Sequence, residues 1–163
     1  MSNELKISTI KKKAKEVNKY ENHEFEDGQI LKFMPIFPEN KVDDLLNDFQ
    51  SLMKESEEIN FKLDEGLVYS LIYILCVKHF THLGKQIPDG LANHIEYMQN
   101  LNDAGYFKPI IKEVFLGKEI QKVINQITDK VVQLQFLKNM ANQVQLKVKN
   151  LELQNKELLT SIK

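Results

Sequence analysis

Apolar residues recur with helical spacing along most of the chain. Between Glu39 and Met53 they fall at i, i+3, i+4 and i+7, which predicts an amphipathic helix that opens just after Pro38. Residues 55–62 are polar and are expected to form a connection. The next helix is predicted to begin at the N-cap Asp64 and to end at Gly84. Its side chains are apolar on nearly all sides, which places this helix in the middle of the core.

A short hairpin is predicted ahead of these helices. Asp27-Gly28 lies between two short runs that read as strands, and Asp-Gly favours a two-residue turn because both central positions prefer positive φ. An isolated hairpin is marginal in water. We therefore expect this hairpin to pack against the helices through Phe25, Ile30 and Phe33.

The chain begins with a basic segment, residues 5–20, in which only part of the apolar pattern is helical. Ser8 is a plausible N-cap, so the segment is interpreted as a frayed helix or an arm. A further helix is predicted from Leu91 to Asp103, and a short helix with Pro109 in its first turn is predicted to end at Gly117. From Lys118 onward there is no Pro or Gly, so a single long helix is expected.

These elements predict a mainly α protein: a helical bundle with a small N-terminal β-hairpin and a long C-terminal helix. Three regions are expected, namely a basic arm at residues 1–22, a hairpin with the helical core at 23–117, and the long helix at 118–163. A chain of 163 residues is about one domain's worth of sequence.

The long helix carries the most specific pattern in the sequence, an apolar stripe spaced alternately by four and three residues. This is the 3.5-residue period of a coiled coil. The seam, as we call it, consists of Leu137, Ala141, Val144, Val148, Leu151, Asn155, Leu158 and Ile162.

Two interpretations of the seam remain open. With Leu151 at d and Val148 at a, the pattern favours a parallel two-stranded coil, and Asn155 at a would fix its register. A homo-oligomer is then expected. Leu146 and Leu153 lie off the seam and broaden the apolar face, which favours packing within the chain or a larger assembly.

Composition and charge exclude several classes of protein. With 42% hydrophobic residues the chain has enough apolar material for a core, and its longest apolar run, Leu67–Val77, is too short to cross a membrane. Nothing marks the N-terminus for secretion and Cys76 is a single cysteine, so a cytoplasmic location is expected. All 22 basic residues are Lys, and the absence of Arg disfavours nucleic-acid binding. The Lys11–Lys15 run is more simply a solubilising arm than a nucleic-acid contact.

No catalytic or metal motif is recognised, so neither an enzyme nor a cofactor is expected. Cys76, His79 and His82 follow one another at i+3, but one helix cannot aim all three at a tetrahedral centre. Apolar neighbours imply that Cys76 is buried and inert. The acidic side chains of Asp43, Asp44 and Asp48 are interpreted as a solvated helix face.

Over residues 25–125 the order of features resembles the tail assembly chaperones of long-tailed phages and of phage-like prophage elements of Gram-positive bacteria. The resemblance rests on hydrophobic patterns and corners. They are the Asp27-Gly28 hairpin leading to residues 33–37, the helix end at 78–83, Ile87-Pro88-Asp89, the Gly105-Tyr106-Phe107 corner and residues 119–123.

The resemblance implies a non-enzymatic function: binding the helical tape-measure protein and helping tail-tube subunits polymerise around it. Under this interpretation the long helix contacts the client, with the Gly105-Tyr106-Phe107 corner as a possible second contact. The alternative is a structural or adaptor protein of the phage particle that oligomerises through the same helix. A small regulator that uses the basic arm on nucleic acid is a third possibility.

Overall fold

The computed structural model describes residues 3–161, and at Leu159 it describes the backbone alone. Within that range the predicted class is confirmed: a mainly helical chain with a small hairpin and a long C-terminal helix. The elements are α1 (Ile7–Val17), β1 (Glu21–Glu24), β2 (Ile30–Phe33), α2 (Glu39–Glu58), α3 (Glu65–Phe80), a 3-10 turn (His82–Gln86), α4 (Leu91–Asp103), α5 (Phe107–Pro109), a π-helical turn (Ile110–Val114) and α6 (Gly117–Ser161).

The chain divides into two compact units, one up to Ile124 and one from Asn125 onward. Most of the core lies in the first unit, where α3 packs against α2 and α4. The α3 side chains Leu71, Leu75 and Phe80 are fully buried. This confirms that the helix with apolar residues on most sides occupies the middle of the core.

Helix α2 is longer than its hydrophobic pattern predicts. The polar stretch assigned to a connection remains helical through Glu58, and Ser56 within it is buried. The Ser56 hydroxyl donates to the carbonyl of Met53 at 2.7 Å, which satisfies this polar group inside the helix. The N-cap of α3 is confirmed, because the Asp64 carboxylate accepts from Leu67 N at 2.7 Å.

Helix α3 ends at Phe80 and not at the predicted Gly84. The carbonyl of Phe80 accepts a hydrogen bond from Met34 N at 2.8 Å, and extended Thr81 pairs with Phe33 of β2. The Thr81 hydroxyl accepts from Leu83 N and so starts the 3-10 turn. A long-range contact with the hairpin therefore ends this helix, which the local sequence could not indicate.

The hairpin is confirmed, but its turn was predicted wrongly. Phe25 N donates to Gln29 O and Gly28 N donates to Phe25 O, each at 2.9 Å, so the connection is longer than two residues. Within this turn only Gly28 has a positive φ, at 82°, whereas Asp27 accepts from Gln29 N through its side chain. This is the three-residue loop in which a turn is followed by a left-handed glycine.

The inward side chains of the hairpin also differ from the prediction. Leu31 and Phe33 are buried, Phe25 is half-buried, and Ile30 is 53% exposed. Because alternate residues of a strand point to opposite faces, Leu31 and Phe33 share the inner face and Ile30 cannot.

Two further boundaries differ from the prediction. Ser8 is not an N-cap, because α1 begins at Ile7 and no side chain caps it. The short helix that was predicted to carry Pro109 in its first turn begins at Phe107, which confirms that placement, and continues as a π-helical turn. Gly117 does not close that helix but is the first residue of α6.

An aromatic cluster joins the loop after β2 to α3 and to the segment before α6. The rings of Phe37 and Phe80 stack with their centroids 3.7 Å apart, and the ring of Phe115 meets Phe37 edge to face at 5.3 Å. The buried Glu119 carboxylate accepts from Phe37 N at 2.9 Å, and Lys122 Nζ donates to Phe37 O at 2.8 Å. Glu119 and Lys122 also pair with each other at 2.9 Å, so this buried charge is satisfied.

Asp48 belongs to an ion-pair cluster between α2 and α3. The prediction that it lies on a solvated helix face was therefore wrong. Its carboxylate lies 3.0 Å from Lys78 Nζ and 2.8 Å from His79 Nε2, and Lys78 also pairs with Asp89. Burial acts against the charge of Asp48, but the bonds from Lys78 and His79 outweigh it and lower the pKa of the carboxyl. Burial lowers the pKa of His79, partly opposed by Asp48.

Substituting Gly84→Ala should destabilise the fold. A Cβ at this position would lie 1.8 Å from the carbonyl oxygen of Lys78, so the backbone must move. We expect the free energy of unfolding to fall by about 1–3 kcal/mol, as for other overpacked sites. The control is Gly117→Ala, where no atom lies within 4 Å of the new Cβ. Urea unfolding should show a change of less than about 1 kcal/mol for this control, and equal losses in both variants would contradict the close approach.

Acidification should destabilise the chain through His79. Its pKa in the folded state is below its ordinary value of 6.5, so the unfolded chain binds the proton more readily. The free energy of unfolding should therefore be highest above pH 6.5 and fall as the pH falls toward the lowered pKa. Urea titrations over this range should show a weaker pH dependence for His79→Gln. An unchanged dependence would assign the effect to other groups.

Candidate protein-binding surfaces

The seam lies on α6 and its described side chains are exposed. The exposed fraction is 61% for Leu137, 58% for Leu151 and 62% for Leu158, and Val144 and Val148 are exposed similarly. Ala141 and Asn155 are exposed as well, and Ile162 lies outside the described residues. From Leu137 to Leu158 the row extends about 32 Å along the helix at 1.5 Å per residue. Apolar side chains exposed in such a row make the seam a candidate protein contact surface.

Further apolar side chains of α6 lie off the seam. Phe136, Leu146 and Leu153 are 61%, 61% and 50% exposed, and Met140 is 48% exposed. In the heptad that places Leu151 at d, Leu146 and Leu153 both occupy f positions, opposite the seam. The helix therefore presents apolar surface on two sides. If the seam forms the predicted coiled coil, the f row stays outside that contact.

The Gly105-Tyr106-Phe107 corner contacts the tip of the hairpin. Gly105 follows α4 with a φ of 83°, as is typical of the residue after a helix C-terminus. The Tyr106 hydroxyl donates to the Asp27 carboxylate, and its ring meets Phe25 edge to face at 4.9 Å. This hydrogen bond lowers the pKa of Asp27 and raises that of Tyr106. Phe107 is buried, so of the two aromatic side chains only half-buried Tyr106 is accessible to a protein partner.

The cysteine and histidine residues do not converge. Cys76 is fully buried, and burial raises the pKa of its thiol, which keeps it protonated. His79 pairs with Asp48, whereas His82 Nδ1 accepts from Lys32 N at 3.1 Å. Among residues 3–161, no three His, Cys, Asp or Glu side chains are grouped so that they could hold a metal ion. Nor does any helix in this range have the length and hydropathy of a membrane span.

Sequence reasoning missed a shallow apolar groove beside the hairpin. It is formed by two hollows of about 260 and 240 Å³ that share Leu83 and Leu101. Ile30, assigned to the interior, lines the first hollow from the outer face of β2. The alternation of Ile30 with Leu31 was the available signal, but choosing between the two faces required the strand register.

Substituting Leu151→Asp should dissociate any oligomer held by the seam while the first unit stays folded. The change places a carboxylate at a d position, where a helical partner would bury it without compensation. The matched control is Leu153→Asp, which introduces the same charge two residues away at f. Light scattering during gel filtration should show a lower mass for Leu151→Asp only. If both variants keep the mass of the parent chain, the seam is not the oligomer contact.

Comparison with known proteins gives one informative match. A family model described as YomO matches residues 7–162. Searches of the curated proteins and of the solved structures each return no match. Because the family match extends over nearly the whole chain, from α1 through α6, this protein belongs to the YomO family, which is related to Bacillus phages and prophages.

Proposed function

We propose that this chain is a non-enzymatic assembly chaperone of phage tails, which binds the helical tape-measure protein and assists polymerisation of tail-tube subunits around it. The observation that carries the proposal is the exposed apolar surface of α6, from Leu137 to Leu158. A chaperone for a long helical client requires apolar surface with helical periodicity, against which the client's own apolar face can pack. Membership of a phage-related family supports the same setting.

The two apolar sides of α6 favour a client complex over a simple dimer. A two-stranded coil buries only the a and d positions, so it would leave Leu146 and Leu153 in contact with water. A client helix that covers this f row would remove that exposed surface. The flanking residues Lys147, Lys149 and Lys156 supply cationic side chains for an acidic client segment.

The second candidate is a structural or adaptor protein of the phage particle that forms a homo-oligomer through the seam. The observation in its favour is the regular heptad, with Asn155 at a and with Lys147 placed to pair with Glu152 of a second helix. The two candidates differ in whether the protein is present in the finished particle: an adaptor remains there, whereas a chaperone leaves before assembly is complete.

The test is co-expression with the tape-measure protein of the same genome, followed by a pull-down and light scattering of the eluted complex. We expect the full chain to keep the client in solution as a defined complex. The double variant Leu151→Asp/Leu153→Asp should sharply reduce the recovered client, since it places a charge on both apolar sides of α6. Ile59→Asp is the matched control, because Ile59 is also an exposed apolar residue, at 60%, but lies beyond the end of α2. It should recover as much client as the parent chain.

Two results would contradict the chaperone. If the client stays insoluble while the chain elutes alone as a stable dimer, the adaptor is favoured. Recovery of the chain in purified particles in fixed ratio to the tube subunit would point the same way. Equal client recovery with Leu151→Asp/Leu153→Asp and with Ile59→Asp would mean that α6 is not the binding surface.

A further inference from the structure

Helix α1 is a short amphipathic helix without a packing surface. Its apolar residues Ile7, Ile10, Ala14 and Val17 fall on one face, and none of its residues is buried. Ile7 is 67% exposed and Ile10 is 44% exposed. An isolated helix of 11 residues is marginal in water, because most helical stability comes from packing the apolar face. A surface that covers this face is therefore required to hold α1 in its helical form.

The groove beside the hairpin has the apolar character that such a helix needs. Its first hollow lies between the hairpin, the 3-10 turn and the end of α4, and its second continues along α4 past Leu101. The apolar lining side chains are Phe25, Ile30, Leu31, Leu83, Leu101 and Ile110. Ile30 is 53% exposed, so an apolar ligand in the groove would remove substantial apolar surface from water.

One end of the groove is acidic. A third hollow of about 460 Å³ adjoins the first and shares Phe25 and Tyr106 with it. Besides Tyr106, its ionisable lining residues are four carboxylic acids and one histidine: Glu24, Glu26, Asp27, Glu113 and His23. Asp27 is held in place by the hydroxyl of Tyr106. The groove thus pairs an apolar floor with a negatively charged rim.

The two features are complementary. The apolar face of α1 matches the apolar floor, and the lysines at positions 11, 12, 13 and 15 match the carboxylates of the rim. Within a single chain the apolar face of α1 stays exposed. We propose that α1 of one copy docks into the hairpin groove of a second copy of this chain.

This contact joins two different surfaces and is therefore heterologous. The pair keeps one free α1 and one free groove, so the contact propagates head to tail until it closes into a ring or extends as a filament. It also differs from the seam, which pairs identical surfaces. The rival for a basic amphipathic helix is an anionic lipid surface. The acidic groove in the same molecule favours the protein contact.

The test is disulfide formation between two separately purified full-length variants, one of which carries a mass tag. Ile10→Cys places a thiol on the apolar face of α1, and Ile30→Cys places one in the groove. The native Cys76 is fully buried and does not compete. The matched control is Ile59→Cys, another exposed isoleucine that lines none of these hollows. Mixed under mild oxidation, Ile10→Cys and Ile30→Cys chains should form the heterodimer at least about tenfold faster than Ile10→Cys and Ile59→Cys chains, since docking raises the local thiol concentration.

Charge reversal gives a second readout that does not depend on thiol placement. Adding Lys12→Glu and Lys13→Glu to the Ile10→Cys chain should slow the crosslink, because the rim would then repel the helix. Equal rates for the groove and control cysteines would overturn the proposal. A crosslink confined to a single chain carrying both Ile10→Cys and Ile30→Cys would also overturn it, in favour of docking within one copy. Binding of α1 to phosphatidylserine vesicles without any crosslink would also overturn the proposal, because it would assign the helix to a lipid surface.

Discussion

The backbone of Phe37 is the point on which the fold of the first unit depends. Its N–H donates to Glu119 and its carbonyl accepts from Lys122, so a loop that follows β2 is tied to the first turns of α6. The ring of the same residue stacks on Phe80 at the end of α3. One residue thereby joins the loop after the hairpin, the central helix and α6. Because Glu119 is buried, loss of Lys122 would remove the cation that pairs with its carboxylate.

The same region determines how the central helix ends. The carbonyl of Phe80 accepts a hydrogen bond from the N–H of Met34, one residue beyond β2, and Thr81 pairs with Phe33. The hairpin therefore stops α3 four residues before Gly84, and the close approach of Gly84 to the Lys78 carbonyl follows from the tight turn that results. A two-stranded sheet has little stability of its own, so the hairpin and the helix end stabilise each other.

The surfaces assigned to binding differ in kind. The α6 seam repeats every 3.5 residues and extends about 32 Å, which suits a long helical partner. The groove beside the hairpin is short, has an acidic rim and suits a helix of a few turns such as α1. These surfaces lie on separate elements, so a substitution in one leaves the chemistry of the other unchanged. Tests of the seam and of the groove can therefore be interpreted independently.

Local sequence was sufficient for helices that follow from short-range signals. The cap at Asp64, the bounds of α4 and the long run of α6 depend on side-chain spacing, on capping chemistry or on the absence of Pro and Gly, all of which act within a few residues. The seam was visible for the same reason, since its period is a property of one helix. Tertiary structure alone decided that Ile30 faces outward, that Asp48 joins an ion-pair cluster and that α3 stops at Phe80. Each of these depends on a neighbour that is distant in sequence. A local pattern does not indicate which distant group will pack against a side chain, pair with its charge or bond to the end of a helix.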